Sequence, residues 1–188
     1  QVTRGGSGNQ TLAADLSNES GGAITVNSGS SLSLTDSLNN QSTIDVAGTL
    51  SLSNGSHVLE GTGLGGTGLL GLGSITVHSS GGFTVNVDSI YQNFSTVTGT
   101  SGTVMTIGAT STFQTDNNTV LDIEIINDGQ FDITWTFLNS FHITRFEENF
   151  TNNGTFTWYA GPWRSNTGID FTNFGTVNFN TTNNFDDT

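Results

Sequence analysis

The 188-residue chain carries a formal net charge of −13, has Arg4, Arg145 and Arg164 but no Lys, and contains no Cys. Nucleic-acid phosphates need a basic footprint and anionic bilayers attract basic segments. Both partners are therefore excluded, as are lysine Schiff-base chemistry, a P-loop, disulfides and thiolate metal sites.

Roughly two fifths of the residues are Ser, Thr or Asn, yet 13 Phe and many Ile, Val and Leu remain. The chain therefore reads as one folded domain, 1–188, with a polar and weakly charged surface. No apolar stretch reaches the length of a membrane helix, so no membrane insertion is expected.

Residues 1–21 read as an N-terminal segment, a cap or a polymerisation arm. From residue 22 to 180 a phrase recurs. Its plainest copies are FTNNGTFTW, from Phe150, and FTNFGTVNF, from Phe171. With the central Gly as zero, apolar residues stand four before, two after and four after. In chain order the phrase centres on Ser30 (Val26, Leu32, Leu34), Gly48 (Ile44, Leu50, Leu52), Gly81 (Val77, Phe83, Val85) and Ser111 (Ile107, Phe113). It continues at Gly129 (Ile125, Phe131, Ile133), Gly154 (Phe150, Phe156, Trp158) and Gly175 (Phe171, Val177, Phe179).

The Gly-rich run from Gly61 to Gly73 lacks the Lys of a phosphate loop and reads as a long loop between repeats. Trp135 with Phe137 and Phe141 with Ile143 add further apolar pairs, and residues 181–188 form a tail.

Alternation of apolar and polar residues is the signature of strands, and a small residue between two short strands marks a bend. A fixed phrase with elastic spacing signals stacked units with variable loops. The expected fold is an all-β parallel β-helix, a β-solenoid of about seven irregular coils. The alternative is an antiparallel β-sandwich. A sandwich has no reason to keep one register around every bend, which favours the solenoid. The column two after zero then reads Leu32, Leu50, Phe83, Phe113, Phe131, Phe156, Val177, apolar at every coil.

The outward columns, Ser31, Thr49, Gly82, Thr112, Gln130, Thr155, Thr176 and Ser33, Ser51, Thr84, Gln114, Asp132, Thr157, Asn178, are short and mostly neutral. General acid–base work needs clustered carboxylates or bases, so no catalytic residue is assigned. Asp122 and Glu124 alternate with Leu121, Ile123 and Ile125 and read as facing outward from one strand, with Asp132 close enough to join them. Such a trio suits Ca²⁺, which takes several oxygen ligands. It equally suits a solvated edge that discourages aggregation. No other cofactor is expected.

His57, His78 and His142 are scattered, with no ligand partner nearby in sequence. The segment WYAGPWR, Trp158 to Arg164, holds the only Pro. Tyr159, Trp163 and Arg164 there suit sugar stacking or a protein contact, whereas Trp158 reads as core. Trp163 reads equally as an aromatic folded back over a coil edge. Glycosylation sequons occur at Asn9, Asn18, Asn40, Asn54, Asn93, Asn117, Asn149, Asn153 and Asn180. A chain this rich in Asn, Ser and Thr makes several by composition alone.

The phrases ITVNSGSSLSL, IDVAGTLSLSNGS and FTNNGTFTW resemble the repeats of autotransporter passenger domains and filamentous-haemagglutinin-like adhesins. The short matches GGAI, FEEN and FTNN are also similar to chlamydial polymorphic membrane proteins. The resemblance implies an extracellular, cell-surface protein with an adhesive or scaffold role, and it transfers no active site. An open solenoid exposes unpaired strands at its first and last coil. The expected partners are therefore other copies, head to tail in a filament, or surface glycans and proteins, unless the chain is part of a longer solenoid. Two other functions are weighed beside this one. A polysaccharide lyase or hydrolase would use Asp122, Glu124 and Asp132 with Arg145 or Arg164. An ice-binding protein would use the outward Thr pairs.

Overall fold

A computed structural model describes residues 2–4, 8–60, 63–134 and 143–180. Every regular element in them is a β-strand, and every strand pair is parallel. Three faces repeat around a common axis. The first face stacks Val2–Arg4, Ala23–Val26, Thr43–Val46, the start of Leu64–Leu72, the start of Phe83–Asn93, Val104–Ile107, Glu124–Asn127, Phe150–Asn152 and Phe171–Asn173. The second stacks Gly8–Leu12, Ser30–Leu34, Thr49–Leu52, the later halves of the same two long strands, Thr112–Asp116, Gln130–Thr134, Thr155–Trp158 and Thr176–Phe179. The third stacks Leu16–Asn18, Leu38–Asn40, Ser56–Leu59, Ile75–His78, Thr96–Gly99, Val120–Asp122, Thr144–Phe146 and Trp163–Ser165.

The molecule is thus a β-solenoid of about eight turns, with a ninth begun at Phe171. The two long strands run through the first bend and join two faces into one 16-stranded sheet, while the third face is a separate 8-stranded sheet. At about 4.8 Å between strands, eight turns rise roughly 40 Å. Within the segment expected to be a cap or arm, Val2–Arg4, Gly8–Leu12 and Leu16–Asn18 pair in register with the following turn. The sandwich alternative, which requires antiparallel strands, does not occur.

The column two after zero runs unbroken as Leu32, Leu50, Leu70, Ile90, Phe113, Phe131, Phe156 and Val177. Two expectations are corrected by it. The Gly61–Gly73 run is not a loop: Leu64–Leu72 is a nine-residue strand that supplies Leu64, Leu70 and Leu72 to the core. Its glycines are there for close approach. A Cβ on Gly68 would collide with the Gly48 carbonyl oxygen of the turn before.

Phe83 does not belong to the central column. It pairs with Met105 on the first face, and Ile90 takes the central place because Phe83–Asn93 continues through the bend without a break. The four-before positions share one column only at Ile125, Phe150 and Phe171. Ile44 and Ile107 stand in the column of Asn127, Val26 pairs with Val46 beyond it, and Val77 lies on the third face. Trp135, Phe137, Phe141, His142, Gly61, Thr62 and the tail lie outside the described residues.

The core changes character along the axis. Its first half is aliphatic. Its second half holds two Phe stacks. Phe113, Phe131 and Phe156 lie nearly parallel, with centroids 5.0 and 5.7 Å apart. Phe150 and Phe171 stack at 5.0 Å. The two stacks meet edge to face, Phe131 against Phe150 at 84°, the arrangement that ring quadrupoles favour.

Candidate functional site

Stacking places equivalent side chains one above another, so any site on this molecule is built from columns. Outward on the second face, one column reads Ser31, Thr49, Leu69, Ser89, Thr112, Gln130, Thr155, Thr176. The next reads Ser33, Ser51, Gly71, Tyr91, Gln114, Asp132, Thr157, Asn178. Leu69, Tyr91, Gln130 and Asp132 break the Thr array that ice binding needs.

The acidic trio is not assembled. The chain bends at the buried Ile123, so Asp122 ends a third-face strand and Glu124 begins a first-face strand. They do not project from one strand as the alternation suggests. Both border a hollow of about 310 Å³ beside the turn Gly99–Thr103, and the third carboxylate there is Glu148, not Asp132. Asp132 lies on the second face, where it accepts a hydrogen bond from Gln130. Partial burial raises its pKa above the ordinary carboxylate value, and hydrogen bonds to Gln130 and Thr157 oppose the shift. Among the described residues no three His, Asp or Glu side chains converge to hold a metal ion. The residues expected to bind Ca²⁺ therefore do not fit it.

The WYAGPWR corner is split by packing. Trp158 is partly buried and donates its indole N–H to the Gly161 carbonyl at 2.6 Å. Trp163 folds inward and meets Phe146, Phe156 and Phe171 with ring centroids 5.8–6.3 Å away. Tyr159 and Arg164 remain exposed. Arg164 stands in register with Arg145 on the third face, and Arg145 pairs with Glu147 at 3.5 Å.

His57 is fully buried. Its Nε2–H donates to the Asn54 carbonyl at 2.8 Å, and its Nδ1 has no partner. Burial lowers its pKa below 6.5, and the bond to Asn54 opposes this. His78 is bonded to Ser56 at 2.6 Å.

Of the sequons, Asn18, Asn40 and Asn117 are buried, which removes them as acceptors in the folded protein. Asn9, Asn54, Asn149, Asn153 and Asn180 are exposed, and Asn93 is half-buried.

The feature that sequence reasoning missed is polar and internal. Asn127, Asn152 and Asn173 form one column on the first face. Asn127 Nδ2 donates to Asn152 Oδ1 at 2.7 Å and to the Thr155 carbonyl at 3.0 Å. Asn152 Nδ2 repeats both bonds one turn on, to Asn173 Oδ1 at 2.7 Å and the Thr176 carbonyl at 3.1 Å. Asn127 and Asn152 are fully buried. The ladder therefore has a direction, with Asn127 and Asn152 each donating toward the later turn. The signal was in the phrase: each Asn stands two before the zero Gly. The ladder leads to the last described turn, where Phe171–Asn173 and Thr176–Phe179 have no further strand beside them among the described residues. That edge, with its exposed Phe171 and Phe174, is the most differentiated surface of the molecule.

No protein-family model, curated protein or solved structure matches the chain. The fold stands on its own geometry, a parallel β-solenoid.

Proposed function

We propose that this chain is an extracellular structural or adhesive surface protein. In this reading its stack continues beyond the last described turn, end to end with further copies or within a longer solenoid. The observation that carries the reading is the edge at Phe171–Phe179. Its inward columns stop at full width, with no strand closing either face among the described residues. Open strand edges are templates for pairing. Three features support a surface role. The outward columns are mostly polar and carry one carboxylate, Asp132, no three His, Asp or Glu among the described residues could hold a metal ion, and the exposed sequons tolerate a glycosylating compartment.

Electron microscopy and sedimentation of the undenatured protein test the proposal. Rods much longer than the roughly 40 Å of eight turns, growing with concentration, support it. A monodisperse particle of eight-turn length at high protein concentration overturns the end-to-end assembly of copies.

A further inference from the structure

If the stack continues, as proposed above, its edge dictates what the next layer must be. Three successive turns carry one nine-residue phrase, apolar-x-Asn-x-Gly-x-apolar-x-apolar: Ile125 to Ile133, Phe150 to Trp158 and Phe171 to Phe179. We propose that the edge formed by Phe171–Asn173 and Thr176–Phe179 is a binding site selective for a further turn bearing this same phrase.

Three columns argue it. The Phe171 ring lies on Phe150 at 5.0 Å and 12°, and the residue is 37 % exposed, so its other side is available to an apolar residue of the next layer. Val177, only partly buried, ends the central column in the same way. The Asn column is the most specific. Asn127 and Asn152 each donate to an Asn carbonyl oxygen one turn on and to a backbone carbonyl three residues past it. Among the described residues Asn173 donates only to the Gly175 carbonyl of its own turn, at 3.2 Å. A next layer with Asn in this column supplies the acceptor. A layer with an aliphatic residue there leaves one hydrogen of that amide buried and unpaired, which weakens its binding.

This rule disfavours the chain's own first turn as the occupant. The columns run in one register through the molecule, from Val2 to Asn173 on the first face and from Gln10 to Val177 on the second. A second copy docked in that register sets Gln10 against Val177, a polar group opposite an apolar one.

The test is fluorescence anisotropy of the full chain with three labelled synthetic peptides. The first has the sequence of residues 149–166, the second is the same with Asn152→Leu, and the third has the sequence of residues 2–18. The expected result is saturable binding of the first, at least tenfold weaker binding of the other two, and loss of binding to a folded Val177→Lys protein. Equal affinity for all three, tighter binding of the 2–18 peptide, unchanged binding to Val177→Lys, or no saturable binding overturns the inference. Filaments that form without any peptide preference overturn it while leaving the proposed function standing. Peptide selectivity without filaments rules out end-to-end copies, as the register argument expects, and leaves the stack continuing within a longer solenoid.

Discussion

At the scale of single residues, the fold depends on side chains that are absent and on amides that are paired. A Cβ on Gly154 would lie inside contact distance of the Gly129 carbonyl oxygen, and one on Gly175 would strike that of Gly154. Those same oxygens accept the N–H of Thr155 and Thr176 at 2.8 and 2.9 Å, so the backbone cannot give way cheaply. Gly154→Ala is expected to destabilise by about 1–3 kcal/mol, as overpacking does. That lowers Tm by roughly 2–4 °C per kcal/mol for a chain of this size, measurable by thermal melts followed by circular dichroism.

Asn152→Leu removes the acceptor of Asn127 and the donor of Asn173 together. It should cost more than Asn173→Leu, which breaks one such bond at an exposed position, and paired melts of the two variants compare them.

His57 makes stability depend on pH. Its folded pKa is lowered, so between that value and 6.5 the unfolded chain binds a proton that the folded chain refuses. Its contribution is complete above 6.5 and is lost as pH falls through the folded value. Melts of the wild type should lose more Tm between pH 7 and 5 than melts of His57→Gln. Equal losses would show that His57 binds its proton equally well in the folded and unfolded chain.

At the scale of elements, the two Phe stacks carry the second half of the core. Phe131 touches four neighbouring rings, Phe113, Phe146, Phe150 and Phe156, and is fully buried. Phe131→Ala is expected to cost about 3–5 kcal/mol, and urea titration should show a lower midpoint. The same change at Phe171, on the outermost turn, should cost much less.

The strand–bend–strand phrase was legible because its apolar positions alternate about a small residue. In the turns around Gly129, Gly154 and Gly175 every position read from sequence holds. The turn of Leu64–Leu72 was not legible, because its glycines look like flexible chain, although a Cβ on Gly66 or Gly68 would strike the Val46 or Gly48 carbonyl oxygen of the turn before. The shift at Phe83 was hidden for the opposite reason. That bend has no Gly to announce it, and Asp88 and Ser89 carry the strand straight through. The candidate sites were the least legible. Asp122, Glu124 and Asp132 are close in sequence, but a bend at Ile123 and a change of face separate them. The Asn ladder was disguised by a chain so rich in Asn that three in register looked like surface.

On the scale of the whole molecule, each turn bonds only to the turns before and after it. Strand partners across the stack range from 18 residues apart, as Phe113 and Phe131, to 25, as Ile125 and Phe150. Stability then behaves as a sum of turn and nearest-neighbour terms. The Gly-rich turn, with few side chains to bury, is the weak link. Hydrogen exchange should therefore open first around Leu64–Leu72 among the central turns, and later in the Phe-stacked turns.

The parallel ladder also decides how the protein meets force. Every interstrand bond runs along the axis, so a load pulling the two ends apart acts on one layer boundary at a time. Each boundary that yields frees a loop of some twenty residues, or about 70 Å of slack at full extension. A tethered chain pulled this way would lengthen in a staircase of similar steps and absorb work at each. Such a thread holds on by giving ground, one turn at a time.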